Sequence, residues 1–279
     1  MKERRITQGK IKSFVKFLTE EEKSTATVEK YLRDVRAFWV FVKNKIVTKE
    51  LALEYKKHLH EKQYAVRSIN SIIASLNSFF SFNGWSELKI KALKQQKQTY
   101  CSEEKELTKA EYLRLLNAAQ TKRQLNLIIQ TICSTGIRVS ELRHFTVENV
   151  ARGEVVIDCK GKIRTILIPE KLRKRLLDYA KKEKIRSGVI FLTRNGKPVN
   201  RSSIWAQMKA LCKDANIDPR KVFPHNLRKL FARTFYSIEK DIAKLADILG
   251  HSSINTPRIY IMSTGTEHRR KIEKLGLVV

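Results

Sequence analysis

The chain has 279 residues, with 57 Lys and Arg against 28 Asp and Glu and a formal net charge of +29. Hydrophobic residues make up 42% of it, which argues against an intrinsically disordered chain, and no apolar run reaches the roughly 18–20 residues that cross a bilayer. Its charged N-terminus lacks the apolar stretch of a signal peptide. We therefore expect a cytoplasmic protein of about two domains, without a membrane-spanning segment.

Positive charge is spread along the whole chain. Residues 1–100 contain 21 basic and 10 acidic residues, and residues 101–279 contain 36 and 18. A surface that serves only solubility needs a net charge of about 2–8 for a small domain. The larger excess in both halves predicts that both contact a nucleic acid, because Lys and Arg bind phosphates and release their counterions.

Residues 1–85 are predicted to form a bundle of four helices. One helix begins near residue 8, another follows Thr48 to about residue 62, and the last ends at Asn83-Gly84. In the second helix, apolar residues recur at steps of three or four, as packing on one face requires. They are Val28, Leu32, Val35, Phe38, Trp39 and Val42. We assign the aromatic residues of the bundle to its core rather than to base stacking.

Residues 86–106 interrupt this pattern and are predicted to form a basic, extended linker with little to bury. Lysines there stand among Gln and Ser residues. Together with one arginine of the bundle, they are the predicted contacts to nucleic acid: Lys89, Lys91, Lys94, Lys97 and Arg67.

Residues 107–279 are predicted to form a second domain that is mainly α with a small β-hairpin, an α+β fold. Thr108 and Glu111 form a capping-box pattern at its start. Apolar and polar residues alternate in 154–159 and 163–168, on either side of Lys160-Gly161-Lys162, which predicts the hairpin. A short strand is predicted at 189–193. Helices are predicted at 109–119, 122–134, 138–145, 170–183, 201–215, 225–236 and 239–249, with a short one before Tyr260.

The sequence predicts neither a metal nor a cofactor. Metal-dependent phosphoryl transfer needs clustered carboxylates that hold the cations. Glu141 and Asp247 are expected to pack in helices or to orient arginines rather than to bind a metal. No G-x-x-x-x-G-K-[ST] phosphate loop occurs. The cysteines form no C-x-x-C pair and are expected to be reduced and mostly buried. They are Cys101, Cys133, Cys159 and Cys212.

Three short segments carry residues suited to chemistry: T-G-I-R-V-S-E-L at 135–142, H-N-L-R at 225–228 and L-G-H-S-S at 249–253. Helical positions three apart share a face, so the His and Arg of the second segment point the same way. In the third segment a glycine ends a helix, and a tyrosine follows the His by nine residues. The candidate residues are Arg138, Glu141, His225, Arg228, His251 and Tyr260.

In order and spacing, these segments resemble the tyrosine recombinase (phage integrase) family over essentially the whole chain. T-G-I-R-V-S-E-L is similar to the first family box, and H-N-L-R is similar to the H-x-x-R of the second. L-G-H-S-S, followed by I-N-T-P-R-I-Y, is similar to the segment with the second His and the nucleophilic Tyr. The 23-residue step from Arg228 to His251 fits the family layout.

These residue types also suit the transfer of a phosphoryl group to a side chain. Negative charge spreads over the non-bridging oxygens in the transition state, and the guanidiniums of Arg138 and Arg228 bind such oxygens bidentately. His225 and His251 donate hydrogen bonds or exchange protons near neutral pH. Tyr260 is the predicted nucleophile, and the resemblance implies a 3′-phosphotyrosine intermediate.

The resemblance also implies a lysine in a β-turn that protonates the departing 5′-oxygen. The stretch Cys159-Lys-Gly-Lys-Ile-Arg164 is one residue shorter than the usual family turn. We predict that Lys160 is this general acid. Lys162 is the alternative, and a lysine without function in an exposed turn is the third interpretation.

For the whole molecule, the resemblance implies a SAM-like helical DNA-binding domain (1–85) and a catalytic domain that clamp duplex DNA at specific sites. Four protomers would exchange strands through a Holliday junction. The tail, residues 266–279, is predicted to dock on a neighbouring protomer, with docking on its own domain as the alternative. A type IB topoisomerase and a non-catalytic DNA-binding protein are the alternative functions. The separate helical domain, the box spacing and the complete set of site residues favour a short, Xer-like recombinase or integrase.

Overall fold

A computed structural model of the chain divides it into two compact units, Met1–Lys97 and Gln98–Val279. The structure describes residues 4–94, 106–159, 162–250, 269–270 and 272–275, and only the backbone of residues 159 and 162. Within these ranges, no helix has both the length and the apolar character needed to span a membrane.

The N-terminal unit is a bundle of helices, as the spacing of its apolar residues predicts. Its helices are α1 (Gln8–Glu20), α2 (Thr25–Val42), α3 (Lys49–Glu61) and α4 (Val66–Phe82). Thr7 and Thr48 cap α1 and α3 with hydroxyls that accept a main-chain N–H at 3.3 Å. Phe38, Phe79 and Phe80 are buried, so the prediction that these aromatic residues form the core is confirmed.

The segment after α4 packs on this bundle, so the prediction of an extended linker from residue 86 is wrong for its first part. A 3-10 helix (Ser86–Leu88) follows α4, and its end and Ile90 are buried. Two side-chain amides of α4 hold the main chain beyond it. Asn77 bonds both the N–H and the C=O of Ile90 at 2.8 Å, and Asn70 does the same at Leu93, at 2.7 and 3.0 Å. The apolar residues that are buried here were overlooked because lysines separate them.

The C-terminal unit is mostly helical. Its helices and strands are α5 (Lys109–Ala118), α6 (Arg123–Thr135), α7 (Val147–Arg152), β1 (Glu154–Cys159), β2 (Lys162–Leu167), α8 (Glu170–Lys182), α9 (Arg201–Ala210), α10 (Pro224–Glu239) and α11 (Ile242–Leu249). The predicted capping box at α5 is present, because Glu111 N donates to Thr108 Oγ1 at 3.1 Å and Thr108 N donates to the Glu111 carboxylate at 2.8 Å. α10 packs against both α6 and α11, which brings the three candidate segments together.

β1 and β2 form the predicted hairpin. They pair antiparallel, with Glu154 opposite Leu167 and Cys159 opposite Lys162. Val155 and Ile157 point into the core of the unit. The hairpin therefore has one buried face.

Two predictions in this unit differ from the structure. Residues 138–145, predicted as a helix, form the shorter 3-10 helix Val139–His144. The predicted strand at 189–193 is only two isolated bridges, Val189 with Thr146 and Leu192 with Pro198. Neither partner can extend a ladder, since α7 begins directly after Thr146 and a proline has no N–H to donate.

Candidate active site

A glycine ends α6 and turns the chain toward the first candidate residue. Gly136 has φ 65°, in the left-handed region, and a Cβ there would lie 2.4 Å from Phe231 Cδ1. Only glycine fits both conditions. The turn places Arg138 directly before the 3-10 helix, with its side chain 40% exposed.

Glu141 is buried beside Arg138 and contacts two arginines. Its Oε1 accepts a hydrogen bond from Arg138 Nη1 at 3.0 Å, and its Oε2 accepts one from the main-chain N of Arg138 at 2.6 Å. Arg164 on β2 donates from Nη2 to the same Oε2 at 2.5 Å. Because one carboxylate faces two guanidiniums, this cluster keeps a net positive charge that suits a phosphate.

Arg228 lies on α10 and is only 2% exposed. Its Nη1 donates to the carbonyl oxygen of Gly136 at 2.5 Å, and its Nη2 donates to that of Leu249 at 2.6 Å. These carbonyls stand at the C-terminal ends of α6 and α11, where the helix dipoles are negative and stabilise a buried cation. The guanidinium is thus held by two helix ends.

Arg138 and Arg228 converge on one short stretch of main chain. Arg138 Nη2 donates to the carbonyl oxygen of Gly250 at 3.3 Å, next to the Leu249 carbonyl that Arg228 binds. His251 follows immediately in the sequence. Two arginines from separate segments therefore meet where the third segment begins.

His225 lies at the start of α10, one turn before Arg228 and on the same face. The residue is exposed, but the surrounding protein still removes enough water to lower the pKa of its imidazole below that of an ordinary histidine. Nearby cations lower the pKa further, and they are Lys229, Arg228, Arg201 and Arg138. The lowered pKa therefore favours the neutral imidazole at pH 7.

The structure brings together part of the predicted site. Arg138, Glu141, His225 and Arg228 gather around the end of α11. Lys160, His251 and Tyr260 lie outside the described residues, and so does Lys97. The other predicted contacts to nucleic acid are exposed on the N-terminal unit: Lys89, Lys91, Lys94 and Arg67.

Arg164 is a site residue that the sequence analysis missed. It lies on β2 on the same face as Ile166, which is buried against the core. A charged side chain on the buried face of a strand needs a partner, because an unpaired buried charge is costly. This break in the alternation of β2 was the signal that could have identified it.

Metal-ligating side chains and thiols are the other groups in the described residues that could carry chemistry. No group of three or more His, Cys, Asp or Glu side chains there could hold a metal ion. Cys133 and Cys212 are free thiols, the first half-buried and the second buried. Burial raises the pKa of Cys133 to about 12, so this thiol is not a nucleophile near neutral pH.

Two family models match the chain. The model described as "Phage integrase family" matches residues 105–267, and the one described as "Phage integrase, N-terminal SAM-like domain" matches residues 11–86. Together they cover segments in both units.

Curated relatives match over nearly their whole length. Tyrosine recombinase XerA of Pyrococcus horikoshii is 30% identical, with 100% of this chain and 98% of the relative covered. XerA of Pyrococcus furiosus is 28% identical over the same shares. Tyrosine recombinase XerD of Halalkalibacterium halodurans is 28% identical, with 88% of this chain and 90% of the relative covered.

Solved structures share the fold. A lambda integrase tetramer bound to a Holliday junction matches with a TM-score of 0.70 at 17% identity, covering 90% of this chain and 76% of that chain. XerH bound to its difH substrate matches with a TM-score of 0.68 at 16% identity, covering 98% and 90%. The crystal structure of XerA recombinase matches with a TM-score of 0.54 at 24% identity, covering 96% and 98%.

The catalytic family model covers more than half of the chain, and the XerA relative of 30% identity covers all of it. The arginines and the histidine that meet at the end of α11 belong to the segments with which the sequence resembles tyrosine recombinases. The chain belongs to the phage integrase family of tyrosine recombinases.

Proposed function

We propose that this tyrosine recombinase cuts duplex DNA at a specific site with Tyr260 and rejoins the cut strand to a partner strand. The observation that carries the proposal is the meeting of Arg138, Arg228 and His225 at the end of α11. The chain runs from there through His251 to Tyr260. The full-length similarity to recombinases supports this function over a type IB topoisomerase or a non-catalytic DNA-binding protein.

In the proposed reaction, the Tyr260 oxygen attacks the scissile phosphorus and the bond from phosphorus to the 5′-oxygen breaks. Arg138 and Arg228 stabilise the charge on the non-bridging oxygens. His225 accepts the phenol proton, since its lowered pKa leaves it neutral. Lys160 gives a proton to the departing 5′-oxygen.

The products of this step are a 3′-phosphotyrosine and a 5′-hydroxyl. His251 would hydrogen-bond the same phosphate throughout. The 5′-hydroxyl of a partner strand then attacks the phosphotyrosine and releases Tyr260. Because one phosphoester replaces another, the reaction needs no external energy source or cofactor.

Binding of DNA is assigned to both parts of the chain. Residues 1–85 would act as the DNA-binding domain and residues 107–279 as the catalytic domain, in the cytoplasm, where DNA is accessible. Exposed side chains of the N-terminal unit would contact the phosphates, namely Lys89, Lys91, Lys94 and Arg67, together with Lys97.

Strand exchange between two sites would need four protomers, as in the lambda integrase tetramer on a Holliday junction. We assign their contact to the C-terminal tail docking in trans. Within its described part, Ile272 is 53% exposed and Leu275 is 61% exposed, which leaves apolar side chains for a neighbour to cover.

Mapping of covalent protein–DNA adducts tests the proposal. The protein is incubated with fragmented genomic DNA of its source organism, denatured, and the attached fragments are sequenced. We expect adducts at a recurrent sequence with the wild type and with Tyr236→Phe, and none with Tyr260→Phe, which should still bind DNA. Adducts that persist in Tyr260→Phe would overturn the assignment, and their absence in the wild type would overturn the function.

A further inference from the structure

Arg164 connects three parts of the site through one side chain that is only 12% exposed. Its Nη2 donates to Glu141 Oε2 at 2.5 Å, and its Nη1 donates to the carbonyl oxygen of Ile248 at 2.7 Å. Its stem lies against the main chain at Gly250, where a Cβ would stand 2.6 Å from Arg164 Cδ. The Arg164 side chain therefore links β2 to Glu141 and to the end of α11.

The hydrogen bonds around Arg164 close a ring with Arg138. Arg164 binds Glu141 and the carbonyl of Ile248, while Arg138 binds Glu141 and the carbonyl of Gly250. Each arginine thus bridges the same carboxylate and the same short stretch of main chain. A ring of this kind fixes both terminal nitrogens of the Arg138 guanidinium, whereas a single ion pair would fix one.

The division of the Glu141 oxygens shows what Arg164 contributes. Oε2 accepts hydrogen bonds from Arg164 Nη2 and from the main-chain N of Arg138, which leaves Oε1 for Arg138 Nη1. Without the second guanidinium, a buried carboxylate would lack a charged partner on Oε2 and would attract Arg138 with both oxygens. The N–H groups of Arg138 that are proposed to bind the phosphate would then turn toward Glu141.

We propose that Arg164 is a positioning residue that acts through Glu141 to hold Arg138 in the geometry required for the attack on phosphorus. This inference rests on the proposed function. In this proposal Arg164 acts through Glu141 and is not assigned a contact with the phosphate. Its contribution depends on the two-pronged shape of the guanidinium, since a lysine cannot reach Glu141 and the carbonyl of Ile248 together.

The test measures single-turnover cleavage of a nicked duplex that carries the site mapped from the covalent adducts. At saturating DNA we expect Arg164→Met and Arg164→Lys to cleave about 100-fold more slowly, as misplacement of about 1 Å does. A 5′-thio leaving group should not restore the rate, because the defect lies in Arg138 rather than in the general acid. The double variant Arg164→Met/Glu141→Gln should be no slower than Arg164→Met, since both changes act through one contact.

Arg173→Met is the matched control, because Arg173 is also an ion-paired arginine of this unit, 2.9 Å from Glu170 and outside the site. It removes the same charge, so DNA affinity should change equally in Arg164→Met and Arg173→Met while the cleavage rate falls only in the former. Should Arg164→Met fail to fold, Arg164→Lys, checked by thermal unfolding, carries the test. Normal cleavage by the Arg164 variants, rescue by the 5′-thio substrate, or independent losses in the double variant would overturn the inference. Failure of the wild type to form adducts would instead overturn the proposed function.

Discussion

Arg138 and Arg228 have the same type of side chain but lie in different surroundings. Arg138 is half-exposed and pairs with Glu141, whereas Arg228 is buried and donates to the main-chain carbonyls of Gly136 and Leu249. An unpaired buried carbonyl costs free energy because it has lost its water. Arg228 therefore supports the fold as well as any phosphate that it binds, and replacement of the two arginines should have different effects on stability.

Lysine substitution separates these roles. A lysine at Arg228 has one ammonium and leaves one of the two carbonyls without a donor, so Arg228→Lys should lower the free energy of unfolding by about 1–3 kcal/mol. In a domain of this size the melting temperature falls by about 2–4 °C for each kcal/mol. Arg138→Lys should melt close to the wild type, and both variants should cleave DNA slowly. Thermal unfolding followed by circular dichroism measures the difference, and equal melting temperatures would contradict it.

The lowered pKa of His225 makes the stability of the protein depend on pH in a defined direction. In the unfolded chain this histidine has a pKa of about 6.5, and in the folded protein burial and neighbouring cations lower the pKa. Between the two values the unfolded chain binds more protons. The contribution of His225 to stability is therefore complete above pH 6.5 and is lost as the pH falls through the folded pKa.

A bound phosphate should reverse this shift, because an anion beside His225 favours the imidazolium. We expect DNA binding to take up a proton below about pH 6.5, which calorimetry detects as a binding enthalpy that varies with the ionisation enthalpy of the buffer. His225→Gln should abolish the uptake, and His60→Gln, on α3 of the other unit, should preserve it. Unchanged proton uptake in His225→Gln would show that the phosphate does not approach this residue.

At the scale of elements, prediction from sequence succeeded where a single periodicity decides the structure. The spacing of apolar residues in α2 and the alternation in β1 and β2 report which face is buried. Prediction failed where the burial or pairing of a segment depends on partners that are distant in sequence. Ile90 packs in the core of the bundle in a segment that Asn77 holds by its main chain. Residues 189–193 make only isolated bridges because their neighbours cannot continue a ladder.

The same distinction holds for the site. Spacing identified Arg138, His225 and Arg228 because each lies in a short local motif. Arg164 has no such motif, and its importance depends on contacts with Glu141 and with Ile248, 84 positions along the chain. A single sequence reports local order well and long-range pairing poorly, because the latter depends on how elements pack.

The two candidate general acids, Lys160 and Lys162, stand on either side of Gly161 in the sequence. The main chain of Lys162 pairs with Cys159 as the last step of the ladder, and Lys160 lies outside the described residues. We expect Lys160→Ala to cleave ordinary DNA slowly and to recover on a 5′-thio substrate, whose leaving group needs no proton. Lys162→Ala is the matched control and should show no selective recovery. Rates of single-turnover cleavage on both substrates decide the matter, and selective recovery of Lys162→Ala would assign the acid to that residue.

At the scale of the whole molecule, the tail is predicted to couple assembly to catalysis. It follows Tyr260 closely in sequence, and its exposed Ile272 and Leu275 suit a groove on a neighbouring protomer. A head-to-tail contact of this kind closes into a ring when four copies meet. Docking of the tail on its own domain would instead bury the same residues within one protomer.

Truncation distinguishes these arrangements. Deletion of residues 270–279 should preserve binding to a single site while it reduces the pairing of two sites and recombination, measured by gel mobility and strand exchange. Ile272→Ser/Leu275→Ser should reproduce the defect, and Lys274→Ser, an exposed polar position between them, should not. Normal tetramers on paired sites after the truncation would place the tail on its own domain.

The two asparagines of α4 have a consequence for which residues of the segment after α4 can be substituted. Asn70 and Asn77 grip the N–H and C=O groups of Leu93 and Ile90, as a neighbouring strand would, and peptide groups are the same whatever side chains they carry. The asparagines hold the segment by its main chain, so substitution of the exposed Lys91 between the anchors should cost the fold little. Such a substitution should instead change how this part of the surface binds DNA, while the asparagines keep the segment in place.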